Sequence, residues 1–418
     1  MLMYLSPADL FPSMESLRLQ LWIGVLAFLT ALGGVFGRYY ILSLPQTYLM
    51  LGMMASVTLS RLMNRFLGAS ASALLDFSVT AMAFYLVLFS IRSVRGLRVI
   101  TTVIVLIAVY LTIHGLINYM SAFQDTSFVL FEQHTGTFGE DISFKRLRAL
   151  GFLADPNDFA QFLLVAMAML GVNWARRGIT RFVGAILPGT VILTGMVFTR
   201  SRGGFLGLLA MLLLSFRDRF GRAKSAVLTA FSAVLLLGLN FTGYRTISPS
   251  AGVDRMDIWR EGWGMFKSSP LWGIGYGWFV KHTRMTAHNS FVLCFAELGL
   301  LGYFFWIGLI VFSLYQLHTI RHSEVKSQED LEMVQMANTL RIALYVFLVA
   351  GWFLSRTYNL TFYLLNGMVA SLSAIYAMRR GEFRPLPRVF QCVRSTAFVE
   401  AGTILMVYLI LKLRLLYL

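Results

Sequence analysis

The chain has 418 residues, 57% of them hydrophobic and only 13% charged. A soluble domain of this size needs far more charge to cover its surface, so a soluble globular fold is excluded. Lys and Arg number 36 against 20 Asp and Glu, a formal net charge of +16. Clustered Arg and Lys in short loops are the positive-inside signal of a membrane protein, which accounts for the charge better than nucleic-acid binding does.

Apolar runs long enough to cross a ~30 Å hydrocarbon layer recur from end to end. They are continuous rather than alternating, which excludes a β-barrel. The expected fold is an all-α polytopic membrane protein, a single integral membrane domain over 1–418. In chain order the expected spans are 20–37, 41–60, 71–91, 99–120, 159–175, 182–198, 203–216, 225–241, 289–316, 337–355, 360–378 and 396–411, about 11–12 transmembrane helices.

Charge assigns the sides. The loops carrying Arg92, Arg95 and Arg98, then Arg176, Arg177 and Arg181, then Arg217, Arg219, Arg222 and Lys224, and finally Arg379, Arg380, Arg384 and Arg388 fit the cytoplasm. The same count puts 121–158, the tight turn 199–202 and the large loop 242–288 outside. It also leaves the N-terminus outside, where MLMYLSPADLFP reads as the tail of a span followed by its exit loop, so a start lacking most of a first helix is expected. Cys294 lies inside a span and Cys392 in a basic loop, so neither a disulfide nor a CxxC metal site is expected.

The positive-inside rule makes external arginines worth explaining. In KRLRALGFLADPNDFAQFLL (145–164), Pro156 and Asn157 break the chain before an apolar helix, Asp158 can serve its first turn, and Arg148 sits just upstream. Snorkelling to a headgroup is the plain account of Arg148. In FTRSRGGFLGL (198–208), Arg200 and Arg202 cannot share a helix face unless the helix breaks, which Gly203 and Gly204 permit. An arginine buried there needs a partner, and an anionic ligand for Arg202 competes with an acid from another loop.

In DRMDIWREGWGMFKSSPLWGIGYGWF (254–279), Arg255, Trp259, Gly262 and Phe266 recur at helical spacing and share a face, with Arg260 beside Trp259. Such a short amphipathic helix could instead simply lie in the interface. GIGYG follows no strand and is a turn, not a nucleotide fingerprint. Then comes AHNSFVLCFAELGLLGYF (287–304): Asn289 and Ser290 can cap the span that follows, but capping does not require His288. Near neutral pH an imidazole is the side chain best able to take and return a proton. With Arg148, Arg202 and Arg255 on the same side, His288 supplies the base that an arginine-bound diphosphate lacks.

These motifs, spread over roughly 145–310, resemble the O-antigen ligase and O-antigen polymerase family of bacterial inner-membrane enzymes. The resemblance implies a C-type glycosyltransferase-like bundle with a large external loop, facing the periplasm. It implies glycan transfer from undecaprenyl diphosphate to a lipid A core, another glycan or a protein hydroxyl, with no cofactor, metal or nucleic acid. By resemblance Arg148, Arg202 and Arg255 hold the diphosphate and His288 is the base; Arg200 is a further candidate for the diphosphate, and Asn289, Trp259 and Arg260 are candidate supports.

Two other classes compete. A transporter of lipid-linked sugars or organic anions would concentrate charge near the midplane, where only Asp76 and Glu297 look deeply placed. A metal-dependent glycosyltransferase needs clustered acids; DPND and DRMD offer pairs, but no D-x-D stands in an external loop.

Overall fold

The computed structural model describes residues 19–36, 38–65, 67–121, 127–135, 141–174, 177–238, 249–381 and 389–416. The expected exit loop at the N-terminus and the basic residues Arg384 and Arg388 lie outside them. Seven described helices are long and apolar enough to cross a membrane: Ser70–Ser90, Val94–Met120, Gly178–Thr199, Ser290–Arg321, Gln328–Gly351, Leu360–Arg380 and Phe390–Leu413. The molecule is a multi-pass, all-α membrane protein.

In chain order the helices are α1 (Leu19–Leu32), α2 (Pro45–Met63), α3 (Leu67–Ser90), α4 (Val94–Met120), α5 (Pro156–Met169), α6 (Gly178–Thr199), α7 (Arg202–Phe220), α8 (Arg222–Gly238), α9 (Pro249–Ser268), α10 (Ser290–Arg321), α11 (Gln328–Gly351), α12 (Leu360–Arg380) and α13 (Val389–Leu416). Several expected spans correspond to helices that are shorter or more polar than these seven. At 14 residues α5 is only ~21 Å long. Four polar residues of α2, Gln46, Thr47, Ser56 and Ser60, are buried, so they meet protein rather than lipid. Inside α6 a π-turn at Phe182–Ile186 precedes Pro188. A proline has no N–H to give the residue four before it, so the ladder reorganises there.

The chain forms two compact units. The first takes in the described part of 1–27 with 95–245 and 338–350, hence part of α1, most of α4, then α5 to α8 and the C-terminal half of α11. Within it α5 packs on α6 and α7. Gly195 faces Thr112 and Leu163, and Gly207 faces Leu164, at distances where a Cβ would collide. Small residues let helix backbones approach this closely where no hydrophobic effect drives them together. Gln161 Nε2 donates to the Phe347 carbonyl at 3.0 Å, tying α5 to α11. The stretch expected only as an external loop contains an antiparallel hairpin, β1 (Val129–Thr135) and β2 (Asp141–Leu147), in register Val129 to Leu147.

The second unit takes in 28–94, 246–337 and 351–418. In it α2 runs antiparallel to α10, with Leu49 against Gly308 and Phe305 against Gly52. The Gln46 and Gln316 amides bond each other, and Ser373 donates to Gln316. Inside the bilayer such buried amides have no water to fall back on, so they pair.

The helix α10 is broken at Gly299, whose φ of 63° and ψ of −165° only glycine adopts readily. The glycine-rich turn after α9 lies across this break. Leu300 N–H donates to the Pro270 carbonyl at 2.8 Å and Leu301 N–H to that of Leu271 at 3.2 Å. In return Ile274 and Gly275 N–H donate to the carbonyls of Ala296 and Glu297, each at 3.0 Å. The turn thus satisfies the backbone groups that the break orphans. A Cβ on Gly273 would lie 2.2 Å from the Glu297 carbonyl carbon, which is why a glycine stands there.

Candidate functional site

Among the described residues of the first unit the arginine that is buried is Arg146, at 2% exposure. Its Nε donates to the Thr199 carbonyl at 2.9 Å, Nη1 to Glu132 Oε1 at 2.6 Å and Nη2 to Asn157 Oδ1 at 3.0 Å. Asn157 Oδ1 also accepts from Ser201 Oγ at 2.8 Å, and Ser201 Oγ caps α7 by accepting from Gly204 N–H at 3.1 Å. One guanidinium therefore ties the hairpin, the start of α5 and the turn between α6 and α7 into a single junction. The opposite charge comes from Glu132 on β1. Asp155 caps α5, accepting from Asn157 N–H at 2.7 Å, and Asp158 stands in its first turn; Pro156 occupies the first helical position, where a proline's missing N–H costs nothing.

Around this junction stand three of the arginines singled out in the sequence. Arg200 ends α6 in the left-handed region (φ 51°) with its guanidinium 5.8 Å from the Phe144 ring centre, and Arg202 opens α7. The helix does break between them, so two residues two apart are freed from opposite faces. Arg148 directly follows β2; its N–H donates to the Phe128 carbonyl at 2.9 Å and its Nη1 to that of Ala154 at 3.2 Å. All three are half-buried.

The second unit contains Arg255, Trp259, Arg260, His288 and Asn289. Trp259 is 8% exposed, and its Nε1 donates to the carbonyl of buried Ala287 at 2.9 Å. That bond brings α9 to the residue before His288. Arg255 lies one turn earlier on the same face. Arg260 does not join them: it is 46% exposed and paired with Asp257 at 3.5 Å. His288 itself is half-buried and held at φ 48°, a left-handed conformation uncommon outside glycine. Backbone strain of this kind persists only where the surroundings over-determine it.

Those surroundings are the mouth of α10. Asn289 is fully buried and caps the helix, its Oδ1 accepting from the N–H of Phe291 at 2.8 Å and of Val292 at 3.1 Å. Ser290 Oγ donates to the Leu354 carbonyl at 2.6 Å and accepts from Arg356 N–H at 2.8 Å; Thr357 Oγ1 donates to the Ser290 carbonyl at 2.7 Å. Trp352 meets Trp259 edge-on at 6.0 Å. The chain on either side of His288 is thus pinned from α9 and from the loop before α12.

Below the mouth, Glu297 is 1% exposed and serves the inserted turn: its Oε1 accepts from Phe279 N–H and its Oε2 from Tyr358 Oη, each at 2.9 Å. Burial holds the Tyr358 phenol well above its ordinary range, so it remains a donor at neutral pH. Glu297 acts as a structural latch, which accounts for one of the two deep acids noted in the sequence.

Three features went unseen in the sequence. The Arg146–Glu132 pair rests on a strand register that short alternating runs do not fix. The break at Gly299 is invisible because apolar periodicity continues across it. Arg356 was findable: it falls between the expected spans 337–355 and 360–378, on the same predicted side as His288, and breaks the positive-inside rule just as the others do.

The fold defines a polytopic membrane protein. More narrowly, residues 189–307 match the family model described as O-antigen ligase, which supports assigning the chain to the O-antigen ligase and polymerase family and supports glycosyl transfer of that type in general. The matched segment contains Arg200, Arg202, Arg255, Trp259, Arg260, His288 and Asn289; Arg148 lies before it. No curated protein matches the chain.

Proposed function

We propose that the protein transfers a glycan from undecaprenyl diphosphate to an acceptor hydroxyl at the periplasmic face of the bacterial inner membrane, without a metal. An imidazole nitrogen of His288 takes the acceptor's proton. The acceptor oxygen bonds to the anomeric carbon as the carbon's bond to the diphosphate breaks, and the electron pair leaves with undecaprenyl diphosphate. Arg148, Arg202 and Arg255, with Arg200, hold that diphosphate, since guanidinium forks match paired phosphate oxygens.

The observation that carries the reading is the strained backbone of His288, pinned by a capped helix mouth and by the bond from Trp259 to Ala287. A histidine serving only to begin a helix needs no such clamp. The match over 189–307 supports the reaction class. The acceptor proposed is a lipid A core or a growing glycan, with a protein hydroxyl as the third member of the same chemistry.

Donor binding and single-turnover transfer in detergent test the reading. His288→Ala is expected to bind donor as wild type and to slow transfer by about 10²–10⁴-fold, the usual contribution of a general base. Arg202→Ala and Arg255→Ala each weaken donor binding by about 1.5–3 kcal/mol. Wild-type transfer by His288→Ala removes the base from the mechanism, and flux of lipid-linked sugar across proteoliposomes without transfer replaces the enzyme by a transporter.

A further inference from the structure

The loop from 352 to 359 carries an arginine that the reaction above does not use. Three hydrogen bonds on Ser290, to Leu354, Arg356 and Thr357, fix the backbone of Arg356 one bond away from the residue that follows Asn289. Its side chain therefore springs from the same helix mouth as His288.

A second, independent feature points to a ligand there. Only the oxygen of the Asn289 amide can accept from the Phe291 and Val292 N–H groups, so the cap fixes which way round the amide stands. The Nδ2 is then buried with no hydrogen-bond partner among the described residues, in a side chain that is itself 0% exposed. A buried donor left unmade is costly, and an acceptor arriving from outside is one partner that would satisfy it. Asn289 is also next in sequence to the strained histidine.

We propose that Arg356 and the Asn289 amide bind phosphate oxygens of the diphosphate beside His288, an anion subsite additional to Arg148, Arg202 and Arg255. This rests on the reading of the site given above. The chemistry fits: a guanidinium offers a charged fork, and a neutral amide N–H₂ adds a directional donor without a further positive charge beside the base. An acceptor's own anionic group would not need a donor pair adjacent to the capped mouth; a diphosphate has oxygens enough for several arginines and an amide together.

Equilibrium binding to the purified full-length protein tests it, with inorganic diphosphate and with a short polyprenyl diphosphate as probes. Asn289→Asp keeps the cap, because Asp serves as well as Asn at that position, while replacing the donor by an acceptor. Arg356→Gln removes the charge and Arg356→Lys keeps it without the fork. Both Asn289→Asp and Arg356→Gln are expected to weaken both probes by about 10- to 100-fold, and Arg356→Lys to recover part of the loss. An unchanged melting temperature in Arg356→Lys and Asn289→Asp separates binding from folding. Wild-type affinity for both probes in Arg356→Gln and Asn289→Asp overturns the subsite. So does weakening confined to the polyprenyl probe, which places the residues against the lipid chain. If His288→Ala transfers normally while these variants lose diphosphate, the base assignment fails and the subsite stands.

Discussion

Trp259 and Ala287 are joined by a hydrogen bond of 2.9 Å from the indole Nε1 to a carbonyl that is itself fully buried. The bond links α9, which carries Arg255, to the residue preceding His288, so the placement of the histidine depends on the helix. Trp259→Phe keeps the ring's packing on Trp352 but removes the N–H. Orphaning a buried carbonyl costs about 1–3 kcal/mol. The loss is expected to fall on the rate constant of transfer more than on donor affinity, because what loosens is the placement of the histidine. Single-turnover rates beside donor titrations check this; equal losses in both would make Trp259 a packing residue only.

Arg146 is expected to matter for stability rather than for ligand binding. Arg146→Ala removes three hydrogen bonds, among them the charge pair with Glu132. Breaking a buried pair costs about 3–5 kcal/mol, and with Glu132 at 22% exposure the lower end applies. Arg146→Lys fails to restore it, since an ammonium cannot reach a carbonyl, a carboxylate and an amide at once. Thermal unfolding in detergent measures both. Donor affinity falling with stability unchanged would transfer Arg146 from the scaffold to the site.

Gly299→Ala should unfold the turn from α10. The substitution forces a side chain into φ 63°, ψ −165° and places its Cβ 2.4 Å from the Leu271 backbone carbon. Strain alone costs about 1–3 kcal/mol, and the turn has to shift besides. Gly402, with open space around it on α13, is the control: Gly402→Ala should be neutral or stabilising by about 0.5–1 kcal/mol. A Gly299→Ala protein that melts like wild type would mean that α10 can straighten.

Transfer is expected to persist in EDTA. Guanidinium groups neutralise the leaving diphosphate in the proposed reaction. Activity lost to EDTA and restored by Mg²⁺ or Mn²⁺ would move the chemistry to the acidic pairs at 155–158 and 254–257.

By itself the sequence determined the class of protein and the head of α10. Membrane crossing is set by the length and continuity of apolar runs, a local quantity that needs no partner to be read. Capping by Asn289 is local too, since the amide bonds N–H groups two and three residues ahead. The break between Arg200 and Arg202 was likewise legible, because helical geometry and two glycines within four residues are enough to argue it.

Tertiary structure alone decided which arginine is buried and which chain segments close on the histidine. Arg146 rather than a neighbour is consumed because the hairpin register sets it across from the Thr199 carbonyl, 53 residues away. Arg356 reaches the mouth through a hydroxyl 66 residues away, and the turn at 270–275 enters α10 only because the helix breaks to receive it. Each of these depends on satisfying backbone and charged groups where water is absent, and hydropathy does not say which distant segment supplies the partner.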